Sequence, residues 1–173
     1  IIGDRSRFHP ELQAAMRDAP GDPYLLYQLG KDHEVHDRFA DATIAYEKAL
    51  RLCPADRGYR HDLVIRQLFT LKQVGRTEDA IRLAQAEMAN WNDSPDFWFT
   101  LGDVLLGHTA TLADADALAL LTTIEGCWKR CVEIGESDRY EGAVAGRGSV
   151  LARRNLELLA QLDPSHTAAN SGS

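Results

Sequence analysis

The chain is poor in cysteine, and the little it has argues against a disulfide-stapled scaffold. Three cysteines among 173 residues cannot all pair with one another within the chain. Cys127 and Cys131 lie four positions apart on a predicted helix, among apolar neighbours. We interpret them as small core residues of a protein in a reducing compartment.

Basic charge and long apolar runs are also scarce. Acidic residues outnumber basic ones by 26 to 19, which gives a formal net charge of −7. Nucleic-acid-binding proteins present clustered lysine and arginine to phosphates, and because no such basic stripe occurs we expect no nucleic-acid partner. No run approaches the ~18 apolar residues that cross a bilayer, and no charged-then-apolar leader opens the chain. We therefore expect a cytoplasmic location and no membrane span.

Helical periodicity is what the chain has in abundance. The segment YLLYQLGKDHEV follows Pro23, which suits a first helical turn because an N–H there needs no intrahelical partner. A second segment, ADATIAYEKALRL, ends before Pro54, which has no N–H and disfavours helix in the residue before it. Two helices joined by a short turn bury their apolar faces by packing as a hairpin. Gly30 and Ala42 are small enough for a close crossing beside Tyr46.

The pattern recurs along the chain. The segment SPDFWFTLGDVLLG repeats the first helix, and Gly102 follows Gly30 by 72 residues, or twice 36. A middle unit with Gly75 in its turn lies between them. Helix pairs that recur at roughly 34 residues are typical of the tetratricopeptide repeat (TPR), which this chain resembles. The residues that carry the resemblance are Leu29, Gly30, Ala42, Tyr46, Ala49, Pro54, Gly75, Ala80, Trp98, Leu101 and Gly102.

The later units depart from the pattern of the first. The middle unit has Leu68 where the others have glycine, so its two helices should cross less closely. The third unit is interrupted by a predicted loop around residues 107–116. In its second helix, Trp128 takes the place of Tyr46.

The resemblance implies an all-α fold, a TPR-like right-handed α-solenoid of about three helix hairpins with flanking and capping helices. Residues 1–21 would form an N-terminal linker and a half-repeat helix, and residues 22–136 the three hairpins. Residues 137–162 would form a loop and a C-terminal capping helix from about Gly146, since the last repeat of a solenoid needs a cover for its apolar end. We predict that the polar tail at 163–173 is disordered.

Two motifs have a form that can bind metal, and neither is specific. Asp114 and Asp116 have the Asp-x-Asp form that holds a divalent cation in nucleotide-sugar enzymes. They lie in a helix-prone segment with no strand before it, which favours a helix N-terminus instead. His33 and His36 lie three positions apart on one helix, and a metal site would need further ligands. We therefore predict no catalytic, cofactor-binding or metal-binding residue, and no cofactor.

A binding groove is the remaining candidate site. In a TPR solenoid the first helix of each hairpin lines the concave surface, so the resemblance implies a protein or peptide partner along those helices. Exposed aromatic side chains flanked by charge suit such recognition, and the alternative is that the rings pack against the next hairpin. The candidate groove residues are Tyr24, Tyr27, Lys31, Glu34, Asp62, Ile65, Phe69, Lys72, Asp96, Phe99 and Asp103.

A further resemblance concerns the order of five segments, DPYLLYQLGKDHEV, RHDLVIRQLFTLKQVGR, SPDFWFTLGD, WKRCVEIGE and GRGSVLARRNLELL. This succession is similar to the region downstream of the catalytic domain in bacterial family 2 glycosyltransferases, from about Arg7 to Leu162. It implies a non-catalytic TPR module, the accessory region of an enzyme whose catalytic domain is absent here, and the start at Ile1 without methionine fits a cut in a longer protein. The alternatives are a stand-alone TPR adaptor and a small metal-dependent enzyme that uses the histidine or aspartate pairs above. The sequence leaves open whether the chain self-associates through residues 7–18.

Overall fold

The computed structural model describes residues 9–162. Its eight helices in that range are α1 (Pro10–Asp18), α2 (Pro23–Val35), α3 (Phe39–Leu52), α4 (Arg60–Gln73), α5 (Thr77–Trp91), α6 (Pro95–Thr109), α7 (Asp114–Ile134) and α8 (Val150–Leu162). No strand occurs between residues 9 and 162, so the predicted all-α class is confirmed for that part of the chain. In the same range, no helix combines the length and the apolar character that crossing a bilayer requires. The predicted disordered tail at 163–173 lies outside the described residues.

Two helix starts are fixed by a capping side chain that is followed by proline. At the start of α2, Asp22 Oδ1 accepts a hydrogen bond from the backbone N–H of Tyr24 at 2.8 Å. At the start of α6, Ser94 Oγ accepts one from the backbone N–H of Phe97 at 3.1 Å. Each cap satisfies an N–H that has no partner inside its helix, and the proline that follows loses no hydrogen bond. Both helices therefore begin where the local sequence predicts.

The closest approaches between helices occur at two glycines. A Cβ atom at Gly30 would overlap the ring of Tyr46, so the backbone of α2 lies directly against a side chain of α3. A Cβ atom at Gly102 would overlap the indole of Trp128 in the same way, where α6 meets α7. The sequence predicts the first of these contacts, and it predicts Trp128 as the counterpart of Tyr46 in the second.

The two helices of the middle pair, α4 and α5, pack less closely than those of the pairs on either side. Leu68 is fully buried in α4 at the position where α2 and α6 have glycine. A leucine side chain keeps two helix axes further apart than a glycine does. Accordingly, α4 contacts α5 less extensively than α2 contacts α3 or α6 contacts α7. Since α4 also contacts α3 and α6, it lies at the centre of the helix array.

Apolar side chains form two core clusters. The smaller one joins α2, α3 and α4, and it includes Leu26, Tyr46, Ala49 and Leu63. The larger one extends from α4 to α8, and it includes Val64, Leu68, Phe97, Ile124, Trp128 and Leu159. Leu50 packs against both clusters, so apolar packing runs without a break from α2 to α8.

The third helix pair differs from expectation in its connection. The loop predicted around residues 107–116 is shorter than expected, because α6 continues to Thr109 and α7 already begins at Asp114. Asp114 and Asp116 lie in the first turn of α7, where carboxylates interact favourably with the positive end of the helix dipole. The connection is thus reduced to residues 110–113.

Two other helix starts also differ from expectation. The predicted capping helix begins at Val150 and not at Gly146, because Gly146 has a φ of 95°, which an α-helix does not accommodate. Thr77 is of the residue type preferred at an N-cap, followed by Glu78 and Asp79, but it is the first helical residue of α5, which begins after Arg76. The Thr77 hydroxyl lies 2.8 Å from His108 Nδ1 and so ties α5 to α6.

Candidate functional site

A pocket of about 260 Å³ opens between α2, α4 and α6. Its helical walls are Glu34 of α2, Asp62, Ile65, Arg66 and Phe69 of α4, and Phe99, Thr100 and Asp103 of α6. A further wall comes from the connection between α7 and α8, through Gly142, Val144 and Arg147. The pocket therefore combines apolar and aromatic surface with a few charged groups, which is the usual composition of a ligand pocket.

The predicted groove residues fall into three groups. Those that line the pocket are Glu34, Asp62, Ile65, Phe69, Phe99 and Asp103. Two lie beside it: Lys72 Nζ donates a hydrogen bond to Asp103 Oδ2 at 2.7 Å, and Asp96 is buried beneath the α7–α8 connection. Tyr24, Tyr27 and Lys31 lie on α2 away from the pocket lining.

Tyr27 is buried in the structure, although its helical position predicts an outward side chain. Its side chain is 1% exposed, and its ring stacks on that of Tyr59 with 5.2 Å between centroids. Tyr24 meets Tyr59 edge-on, and the Lys31 ammonium lies 5.1 Å from the centroid of the Tyr27 ring. Because Tyr59 directly precedes α4, the first pair uses these rings to pack against the second. In this part of α2 the aromatic rings therefore pack against the next helix pair and do not line a groove for a partner.

A charged network fixes the carboxylates at the α2–α4 side of the pocket. Arg66 Nε donates to Asp62 Oδ2 at 2.7 Å, and Arg66 Nη1 donates to Glu34 Oε2 at 3.1 Å. The Tyr27 hydroxyl donates to Asp62, and the Tyr46 hydroxyl donates to Glu34. Each carboxylate thus has a cation and a hydroxyl as partners, which holds it in one orientation in a partly buried setting.

The same contacts fix the protonation states. Burial lowers the pKa of Arg66, but the hydrogen bond and charge of Asp62 and the charge of Glu34 outweigh burial and raise that pKa above its ordinary value. Burial, together with the neighbouring carboxylate, raises the pKa of both Tyr27 and Tyr46. None of these three side chains is poised to exchange a proton near neutral pH, as a general acid or base would be.

The connection between α7 and α8 lies across the N-terminal halves of α4 and α6, and we call its residues 138–147 the strap. The Tyr140 ring stacks on the His61 imidazole with 4.6 Å between centroids. The Tyr140 hydroxyl donates to Asp93 Oδ1 at 2.6 Å. The backbone carbonyl oxygen of Glu141 lies 3.1 Å from His61 Nδ1. An aromatic ring and a backbone carbonyl therefore anchor this end of the strap.

Asp96 anchors the other end of the strap. Its Oδ1 accepts hydrogen bonds from the backbone N–H of Val144 at 2.9 Å and from Arg147 Nη1 at 3.0 Å. Between the two anchors the backbone passes directly over Asp62, where a Cβ atom at Gly142 would overlap the carboxylate. Gly142 also has a φ of 81°, so glycine is required there for both reasons.

Several residues of the site are not among those predicted. Arg66 follows Asp62 by four positions on a helix, the spacing of helical ion pairs, and this signal could have identified it. Arg147 contacts a residue 51 positions away, and His61 contacts one 80 positions away. No local pattern indicates contacts at such separations.

The two motifs with a metal-binding form lie apart from the pocket. His33 is buried on α2, and His36 Nδ1 lies 2.7 Å from the backbone carbonyl oxygen of Asp32. Asp114 and Asp116 are at the start of α7. Among the described residues, no three histidine, cysteine, aspartate or glutamate side chains are grouped so as to hold a metal ion.

Comparison with known proteins does not assign the chain to a family. No protein-family model matches the chain, and no curated protein matches it either. A functional assignment therefore depends on the residues and the geometry described above.

Proposed function

We propose that this chain is a non-catalytic protein-interaction module that binds an extended segment of a partner protein in the pocket between α2, α4 and α6. One observation carries the proposal: the first helix of each of three successive helix pairs contributes side chains to a single pocket. Phe69 and Phe99 offer aromatic surface, and the charged groups around them are held in fixed orientations. This combination suits an apolar anchoring side chain whose flanking backbone is bound by polar groups.

We infer a right-handed TPR-type solenoid as the architecture of the module. Three helix pairs in succession support this inference, and so does the contact of α4 with both α3 and α6. A glycine packed against a large aromatic residue recurs 72 positions along the chain, at Gly30 and at Gly102. Such a recurrence is expected where one structural unit repeats.

We propose further that the module is the accessory region of a bacterial glycosyltransferase and docks an acceptor protein or an assembly partner in the cytoplasm. The order of sequence segments supports this assignment, while the pocket supports binding in general. The test is the native reading frame upstream of Ile1. An α/β domain of ~200 residues or more, with Asp-x-Asp after an apolar strand, is the expected result. An initiating methionine within a few codons would contradict it and leave a free-standing adaptor.

Binding in the pocket can be tested before the natural partner is identified. Peptides would be selected from a random phage-displayed library against the purified chain, and their affinities measured for Phe69→Ala and for a control, Leu118→Ala. Both side chains are exposed apolar groups, but Leu118 lies on α7 away from the pocket lining. We expect Phe69→Ala to weaken binding at least about tenfold, since aromatic anchors dominate such interfaces, and Leu118→Ala to leave it unchanged. Equal binding by both variants, or a library that yields no binder, would refute the proposal.

A further inference from the structure

The strap lies on α4 and α6 much as a bound peptide lies on a receptor. Its backbone forms bends and turns without regular structure. Contacts are concentrated on its inner side, whereas Glu141 and Ala145 are exposed. The helices beneath it are complete without it, because the strap supplies no turn of either helix.

The helices present a buried polar set to the strap. His61 is 1% exposed and Asp96 is 2% exposed, both on the surface that the strap covers. His61 Nε2 lies 2.7 Å from Ser94 Oγ, which fixes the imidazole plane against which Tyr140 stacks. A carboxylate buried as deeply as Asp96 is stable only when it is paired, and its hydrogen bonds come from the strap. This surface of α4 and α6 is therefore suited to an aromatic ring, a backbone N–H and a guanidinium.

The strap and the pocket share one continuous surface. Gly142, Val144 and Arg147 form a wall of the pocket, and the Arg147 guanidinium lies 5.4 Å from the centroid of the Phe99 ring. A polypeptide that enters the pocket therefore meets the strap between Gly142 and Arg147. The strap covers the N-terminal halves of α4 and α6, and the pocket lies beside it, between these helices and α2.

We propose that the strap is a built-in ligand of α4 and α6, and that the partner is an extended basic segment with an aromatic residue and an arginine, which displaces the strap and fills the pocket. This inference rests on the proposed function and adds the chemistry of the partner and the means of its control. Arginine is favoured because the strap itself places Arg139 on Asp93 and Arg147 on Asp96. The chain's net charge of −7 also favours the approach of a basic segment.

The tether gives the strap an advantage over a free partner. A covalently linked segment acts at an effective concentration in the range of about millimolar. A partner of equal intrinsic affinity therefore binds only the fraction of molecules in which the strap has opened, and its apparent affinity falls by that fraction. Weakening the strap should raise the affinity for the partner.

The test uses the strap sequence itself as the probe, the synthetic peptide SDRYEGAVAGRGS, which copies residues 137–149. In the strap-replaced chain, residues 138–145 become glycine and serine and Arg147 becomes serine. Gly146 and Ser149 are kept because they bond to the Glu136 carboxylate before α8. Binding would be followed by the NMR signals of the His61 and Trp91 rings, which both contact Tyr140. A peptide of scrambled order is the control.

We expect the strap-replaced chain to keep its helical circular dichroism and to bind the peptide at least about tenfold more tightly than the unaltered chain does. Asp96→Asn in the strap-replaced chain should remove most of that binding. Equal binding of the scrambled peptide, or no binding by a folded strap-replaced chain, would overturn the inference. Neither result involves Phe69, so this test and the phage-display test fail independently.

A measurement on the unaltered chain covers the case in which replacement of the strap unfolds the protein. Native-state hydrogen exchange reports the free energy of opening at the Val144 amide, which is bonded to Asp96. We expect this amide to exchange at least about tenfold faster than the most protected amides of α4. Exchange of Val144 only through global unfolding would show that the strap does not open by itself and would overturn the inference.

Discussion

Replacement of Gly30 by alanine should destabilise the fold, although alanine is the better helix former. On helix propensity alone, the change stabilises by ~1 kcal/mol. At this position, however, the added methyl group overlaps the ring of Tyr46. That ring is fully buried and its hydroxyl donates to Glu34, so it cannot turn aside without losing the hydrogen bond.

Three contributions set the size of the effect: two of them destabilise the fold, and one stabilises it. Forcing a methyl group into a packed site costs about 1–3 kcal/mol. Loss of a buried hydrogen bond to a charged group costs about 1.5–3 kcal/mol more. With the gain in helix propensity subtracted, we expect a net loss of about 3 kcal/mol in the free energy of unfolding, measured by urea unfolding followed by circular dichroism.

The matched control is Gly126→Ala on α7. Gly126 is exposed, and a Cβ atom there meets nothing within 4 Å, so only the propensity gain remains. This variant should be more stable by up to ~1 kcal/mol. If Gly30→Ala is as stable as the parent or more so, the close approach of α2 to α3 is not a fixed feature of the fold. The double variant with Tyr46→Leu should show strong coupling, and strictly additive effects would also count against the reasoning.

Three further predictions concern buried titratable groups. Glu87→Ala leaves the Arg60 guanidinium without its carboxylate partner and should lower the urea-unfolding free energy by about 3–5 kcal/mol; a loss below about 1 kcal/mol would contradict this. Burial lowers the pKa of His61 from the ordinary value of 6.5, so the unfolded chain binds a proton at a higher pH than the folded chain does. The free energy of unfolding should therefore decline as the pH falls below 6.5. His61→Phe should reduce the decline between about pH 7.5 and about pH 5.5, and an unchanged decline would contradict it. Burial raises the pKa of Cys127 to about 11 and that of Cys131 to about 12, so neither should react with a disulfide reagent at neutral pH before urea unfolds the chain; rapid native labelling would contradict this.

The helices could be predicted because their signals are local. The start of α2 depends on Asp22 and Pro23, which are adjacent in sequence, and the start of α6 depends on an equivalent pair. The contact between Gly30 and Tyr46 follows from a helix pair whose two faces are both visible in the periodicity. The early start of α7 differs from the predicted loop because alanine favours helix and aspartate favours its first turn, so the segment continues as helix where the repeat pattern is interrupted.

The candidate site could be predicted only in part, because burial there depends on distant segments. Glu34, Phe69 and Phe99 line the pocket because the first helices of successive pairs turn the same face inward. Tyr27 is covered instead by residues around the start of α4, and its hydroxyl bonds to a carboxylate 35 positions away. Asp96 is covered by the strap, about 50 positions further along the chain. Helical periodicity identifies which side chains share one face of a helix, but it does not identify the distant segment that will cover that face.

Asp96 takes part in both proposals, because the strap and the partner would bind the same carboxylate. The sequence selects it as a carboxylate that a partner polypeptide would contact, and in the structure a polypeptide does contact it, namely the strap. If strap and partner use the same carboxylate, Asp96→Asn weakens both, and the free energy of strap opening changes together with the intrinsic affinity for the partner. The apparent affinity of the unaltered chain should then change little, because the two losses offset each other, whereas in the strap-replaced chain the loss appears in full. A large loss of affinity in the unaltered chain would mean instead that Asp96 contributes more to the binding of the partner than to the closure of the strap.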